Sequence, residues 1–210
     1  ADVPRNRTVA RHLLERRAPF PELGQLGCVF VVSAVESLSD AVLANLEKGH
    51  TRADVSDALN IVRGAGIAFR PTWVAFTPWT TLDDYLEMLE FVETEGLIDH
   101  VDPVQYSIRL LVPPGSALLK SPAMNPSLGP LVRDAFYYQW SHPDPRMDEL
   151  HRMVSTVVEQ AARDEEDPGV TFYRLWRTAE AAAGLPPVRA SATPAPGRVR
   201  PPRLTEPWFC

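Results

Sequence analysis

Cysteine is scarce in this chain: Cys28 and Cys210 are the two thiols in 210 residues. Two thiols so far apart form no disulfide framework, and they fall short of the ligand sets of a zinc site or an iron–sulfur cluster. Histidine does not make up the deficit. His50, His100, His142 and His151 include no pair at i, i+4 and no neighbouring cysteine, so no metal site is expected in the chain itself. Long apolar runs are missing as well. No stretch of 18 apolar residues and no signal-peptide pattern occurs, so no membrane partner is expected and a reducing cytoplasm is the expected compartment. Basic charge is in deficit, with 21 Lys and Arg against 27 Asp and Glu and a net charge of −6. A nucleic-acid surface needs the opposite balance. Small molecules and protein partners remain.

What the chain does have is apolar content: 45% hydrophobic residues, enough for one domain with a sizeable core. A complete eight-stranded α/β barrel takes about 250 residues, which is more than is present. Proline is abundant, 21 residues in all, against a usual ~5%. Many of these cluster after Gly184, where the chain reads as linker.

Two periodicities alternate along the sequence. "CVFVVSAV" (28–35) is a short β-branched run, and Ser39 then opens a helix with Val42, Leu43 and Leu46 on one face. Thr51 and Asp54 stand at capping-box spacing before Val55, Ala58, Leu59 and Val62. "IAFRPTWVAF" (67–76) is a second strand, in which Pro71 predicts a bulge or irregular start. Thr81 and Asp84 repeat the capping signal before a helix with Tyr85, Met88, Leu89 and Val92 on one face, and 104–112 reads as a third strand. Strand and helix recurring at this spacing predict parallel βαβ units, whose ligands lie at the carboxyl ends of the strands. Those ends are "SAVES", "FTPWTT" and "RLLVPPGS".

The same stretches carry a family resemblance. "SAVES" followed by "DAVLANLEKGHT", then "GIAFRPTWVAFTPWTTLDDYLEML", then "VDPVQYSIRLLVPPGSALL", resemble the fourth, fifth and sixth strand regions of radical S-adenosylmethionine (SAM) enzymes. "RNRTVARHLLERRAPFPEL" is similar to the segment ahead of the fourth strand. The details "FTPWTT", "DPVQY" and "LLVPPGS" resemble the CUAEP/CCAEP-tail subgroup. The resemblance covers roughly residues 8 to 120 and implies an α/β fold: the C-terminal half of a (β/α)6 partial TIM barrel, followed by helices and a disordered tail. The expected division is 1–120 for the half-barrel, with strands near 28–35, 67–76 and 104–112. A helical extension over 121–183 and a Pro/Arg-rich flexible tail over 184–210, ending in Cys210, complete it.

The resemblance further implies reductive cleavage of SAM to a 5′-deoxyadenosyl radical that takes hydrogen from a small-molecule or peptide substrate. The cofactors would be SAM, a [4Fe-4S] cluster and, through an upstream domain, cobalamin. The cluster needs C-x3-C-x2-C, which this chain lacks. The expected partner is therefore the missing N-terminal half-barrel, from the same or a neighbouring reading frame, and the chain alone is expected to be an inactive, truncated fragment. The alternative is a non-catalytic α/β interaction module that complements a separate half-barrel.

Within this half, Ser33 and Glu36 would contact the SAM ribose, although an acid at Glu36 also suits the start of the following helix. Lys48 would pair with the SAM carboxylate or stand solvated near a helix end. Val74, Ala75 and Thr77 resemble an adenine-facing edge, and a buried strand would look the same. Gln105, polar in an apolar run, needs a partner and would reach SAM or substrate if it points inward. Arg109 shares its face and needs an anion if buried. Cys28 reads as a core residue. Cys210 would be a redox tail, the first member of a cysteine/selenocysteine pair.

Overall fold

A computed structural model describes residues 13–188, 194, 197, 198 and 200–202. The chain forms a layered α/β structure. Helix α1 (Phe20–Gln25) leads into strand β1 (Phe30–Glu36), followed by α2 (Asp40–Asn45), α3 (Arg52–Gly64), β2 (Ala68–Trp73) and α4 (Leu82–Thr94). An irregular region with the hairpin β3 (Leu128–Val132) and β4 (Tyr137–Trp140) precedes two long helices, α5 (Pro145–Arg163) and α6 (Pro168–Ala182).

β1 and β2 pair in parallel, from Phe30 opposite Ala68 to Glu36 opposite Trp73. Their crossover contains α3, whose start is fixed by the expected capping box: Thr51 accepts from the Asp54 amide and the Asp54 carboxylate accepts from the Thr51 amide. Thr81 and Asp84 do the same for α4. Val55, Ala58, Leu59 and Val62 of α3 and Tyr85, Met88, Leu89 and Val92 of α4 are buried in one core with Val35, Phe69 and Trp73 of the strands. The 3.6-residue stripes on the helices thus cover one face of the sheet. At Gly24 the backbone of α1 approaches α3 so closely that an added Cβ would sit 2.2 Å from the Ala65 carbonyl oxygen, which only glycine permits. α5 and α6 add Leu150, Val154, Phe172, Leu175 and Trp176 to the same core.

Three expectations are corrected. The third strand over 104–112 does not form as such. Pro103 and its neighbours make a 3₁₀ turn, Pro103–Ser107, closed by the Ser107 hydroxyl on the Val104 carbonyl at 2.9 Å. The extended chain resumes only at Ile108, and its link to the sheet is one parallel bridge, Phe76 to Arg109. Pro71 makes no bulge: it sits in register opposite Ser33, and the irregularity falls in β1 between Ala34 and Glu36. Among the described residues the side of β2 away from β1 has no ladder until Phe76, so the missing proline N–H goes unmissed. Finally, 121–183 is not wholly helical, since β3 and β4 pair antiparallel before α5 begins.

Two described arginines of the segment after Gly184 are anchored. Arg198 and Arg200 are held on Asp99 and Asp167, with Arg198 Nη2 at 2.7 Å from Asp167 Oδ1 and Arg198 Nε at 3.2 Å from Asp99 Oδ2. Among the described residues no helix is long and apolar enough to cross a membrane.

Candidate functional site

β1 ends under strain. Glu36 takes φ of 69°, the left-handed region that costs a residue with a Cβ. Such strain persists where surrounding contacts over-determine it. Here the Glu36 carbonyl accepts the Val74 N–H at 2.9 Å, and its Oε1 accepts from Lys48 Nζ at 2.7 Å. The side chains are 15% and 24% exposed, so this ion pair is half-buried. Lys48 reaches the strand end because α2 stops at Asn45 and Gly49, at φ 67°, turns the chain back toward the sheet. His50, buried beside it, places Nε2 3.1 Å from the Val35 carbonyl oxygen. Glu36 therefore does not cap α2, whose N-cap is Ser39. Its carboxylate is thereby oriented at the strand mouth.

The next strand end adds backbone and apolar surface. Val74 is half-buried, and Ala75 and Thr77 are buried. Thr77 is committed to its own turn: its Oγ1 lies 2.8 Å from Thr80 Oγ1 and accepts the Trp79 N–H at 3.3 Å. Gln105 is committed too. Because it stands in the 3₁₀ turn, its Oε1 accepts the Trp73 N–H at 3.0 Å and stands in for the absent ladder. The inward reach expected of Gln105 is thus spent on β2. Ser33 alternates with Val32 and Ala34 and shares the face of Val35, so it lies under the helices with no exposure and no partner for its hydroxyl. Glu36, Lys48 and Val74 are brought together and Thr77 lies along the same edge, while Ser33 is buried on the helix-covered face and Gln105 is bonded to β2. Cys210 falls outside the described residues.

A second small core joins the other two strand ends. Val112, Met124 and Trp140 are buried with Trp79, Leu110 and Leu118 packed around them. Trp79 donates to the Ala123 carbonyl at 3.2 Å, and Trp140 Nε1 donates to the Leu110 carbonyl at 2.8 Å. "FTPWTT" and "LLVPPGS" are thereby one surface. Arg109 finds its anion: Nη2 lies 2.8 Å from Asp148 Oδ1, and the guanidinium stacks 3.6 Å from the Trp140 ring centre. Phe76 packs edge-on against His151, whose imidazole burial holds below its ordinary range, with Arg109 adding to the effect.

Sequence reasoning passed over Arg70. It is a buried cation in the middle of β2, paired with Asp102 at 3.0 Å, and its signal was the one charge inside "IAFRPTW".

No protein-family profile matches the chain, and no curated protein matches it. Among solved structures it is similar to a cobalamin-dependent S-adenosylmethionine radical enzyme, OxsB, determined with aqua-cobalamin bound. The TM-score is 0.56 at 17% identity, over 76% of this chain and 28% of that one. The likeness is one of fold. The match covers little more than a quarter of that enzyme's chain.

A carboxylate oxygen, an ammonium and an apolar strand edge meet at one strand mouth and suit a hydroxyl, an anion and a flat apolar group. The thiolates of an iron–sulfur cluster have no counterpart: Cys28 is the one described cysteine, and among the described residues no group of three His, Cys, Asp or Glu could hold a metal ion.

Proposed function

We propose that the chain is the C-terminal half of a radical SAM partial barrel and supplies the SAM-holding side of that site. The observation that carries the reading is the strained Glu36, paired with Lys48 at the carboxyl end of β1, in a fold similar to a radical SAM enzyme. SAM supplies, in enzymes of this class, the 5′-deoxyadenosyl group that becomes the hydrogen-abstracting radical. In this chain Glu36 Oε2 accepts from a ribose hydroxyl, Lys48 faces the carboxylate of the amino-acid head, and the backbone of 74–77 lines the adenine. The cluster does not fit this chain, because its 210 residues hold two cysteines. Its ligands belong to a complementary half-barrel, for which β1 offers an edge that carries no partner strand among the described residues.

Equilibrium dialysis of the chain with SAM tests the assignment. Saturable binding is expected, weakened about tenfold in Lys48→Ala and in Glu36→Gln, the loss of one charge-assisted hydrogen bond each. Absence of saturable binding at millimolar SAM overturns it.

The cysteine count favours a second reading, a non-catalytic α/β module that completes a separate half-barrel. It predicts tight association with a cluster-bearing half and SAM affinity unchanged by Lys48→Ala in the assembled pair.

A further inference from the structure

Two acidic side chains meet one guanidinium at the end of the molecule opposite the candidate site. Asp99 stands in the 3₁₀ turn Ile98–His100, and the next residue, His100, bonds through Nδ1 to the Phe69 carbonyl near the start of β2, at 2.8 Å. Asp167 is the N-cap of α6 and accepts the Gly169 amide at 2.8 Å. The Asp99 and Asp167 side chains are 11% and 32% exposed, and two carboxylates drawn together out of water need a shared cation. Arg198 supplies it, with Nε 3.2 Å from Asp99 Oδ2 and Nη2 2.7 Å from Asp167 Oδ1. Arg200 adds a second contact to Asp167. Burial works to raise the Asp167 carboxyl, but Arg198 and the amides of Gly169 and Val170 outweigh it and hold the group below its usual range.

The seat is fitted to its occupant. Arg198 packs against Gly169, where a Cβ would overlap Arg198 Nη1 and lie 2.9 Å from Pro194 Cβ, so an alanine there would push the guanidinium out. Gly197, at φ 71°, turns the chain immediately before it. Arg198 and Arg200 stand two apart, and Pro201 favours an extended residue ahead of it, which sends both guanidinium groups to one side. What these contacts hold in place is Pro201 and Pro202. With Arg200 they form one wall of an open cleft of about 450 Å³, and Cys28, Val29, Gly66 and Ala68 face them at the starts of β1 and β2. Cys28 is half-buried there.

We propose that Arg198 and Arg200 are a releasable latch. Closed on Asp99 and Asp167, they pin Pro201 and Pro202 across the starts of β1 and β2 as the wall of the cleft. Open, they uncover Cys28 and that end of the sheet. The latch acts on the face away from the candidate site and stands apart from the SAM reading.

Protease sensitivity and thiol labelling read the two states in the full-length chain. Trypsin cuts after Arg198 only when its guanidinium leaves the carboxylates and enters the protease, so the wild type should be cut there slowly, in proportion to the open latch. Gly169→Ala, which fills the seat, should speed that cut about tenfold or more. So should D99N/D167N, which removes both anions while an asparagine still caps α6. Cleavage after Arg63, inside α3, reads global unfolding and should not quicken with it. In R198A/R200A the peptide that carries Cys28 should react with iodoacetamide several-fold faster than in the wild type. Unchanged cleavage at Arg198 in both seat variants, equal acceleration at Arg63 and Arg198, or Cys28 labelling indifferent to R198A/R200A would each overturn the proposal.

Discussion

Replacing Glu36 separates backbone strain from side-chain contact. At φ 69° an L-residue loses about 1–2 kcal/mol relative to the right-handed regions. Glycine escapes that cost but loses about 0.5–1 kcal/mol more chain entropy on folding. Glu36→Gly is therefore expected to be more stable than Glu36→Ala by about 0.5–1 kcal/mol, the reverse of the order at an ordinary strand position. Both variants lose the Lys48 ion pair, half-buried and worth about 0.5–1 kcal/mol, so that contribution cancels in the comparison. Against the wild type, Glu36→Gly trades strain for the ion pair and should melt within a degree or two, whereas Glu36→Ala should melt about 2–4 °C lower for each kcal/mol lost. Paired urea and thermal denaturations of the three chains measure this. If Glu36→Ala is as stable as Glu36→Gly, the strain at the β1 terminus is not real and one support of the candidate site falls. If the order holds and Glu36→Gly no longer binds SAM, the residue is being kept at a cost to stability, as functional strain is.

Other outcomes follow from the core, the imidazoles and the thiol count. Leu89→Ala, at a position with no exposure between sheet and helices, should lose about 2–5 kcal/mol, read as a lower urea midpoint. Burial lowers the pKa of His100, opposed by the Phe69 carbonyl, and likewise lowers that of His151. The unfolded chain then binds more protons just below its own His pKa, so stability is full above about pH 6.5 and declines as the pH falls through that value toward the folded pKa. The urea midpoint should drop between pH 7.5 and 5.5, and H100N/H151N should flatten the drop; a midpoint that rises on acidification refutes the assignment. Anaerobic reconstitution of the chain with iron and sulfide should give no stoichiometric [4Fe-4S] absorption, and one full cluster per chain would contradict the thiol count.

The features legible in the sequence are those whose determinants are local. Thr51 with Asp54, and Thr81 with Asp84, are self-contained three-residue exchanges, and both fold as read. The β-branched runs of β1 and β2 and the helical stripes of α3 and α4 follow for the same reason, since one period fixes one buried face. The third strand misled because its apolar content is that of a strand while Pro103 commits the backbone to a 3₁₀ turn first. The hairpin gave no signal at all: Pro130 argues against a strand, and the left-handed turn position is filled by Phe136, at φ 58°, where glycine or asparagine is the usual sign.

Of the site, the residue types at the strand ends were legible, but their commitments were not. A polar residue in an apolar run announces only that it needs a partner. Gln105 satisfied that need with the Trp73 amide, 32 positions away, and Arg109 with Asp148, 39 positions on, so neither is left to meet a ligand. Glu36 and Lys48 stand only 12 apart and had the opposite ambiguity, since a helix start and a helix end each offered them a local role. What removes that role is the brevity of α2, which returns Lys48 to the strand it has just left. The pair on which the proposed function rests is thus the one the chain brings together at a structural cost: a non-glycine residue held left-handed, its carboxylate oriented by an ammonium.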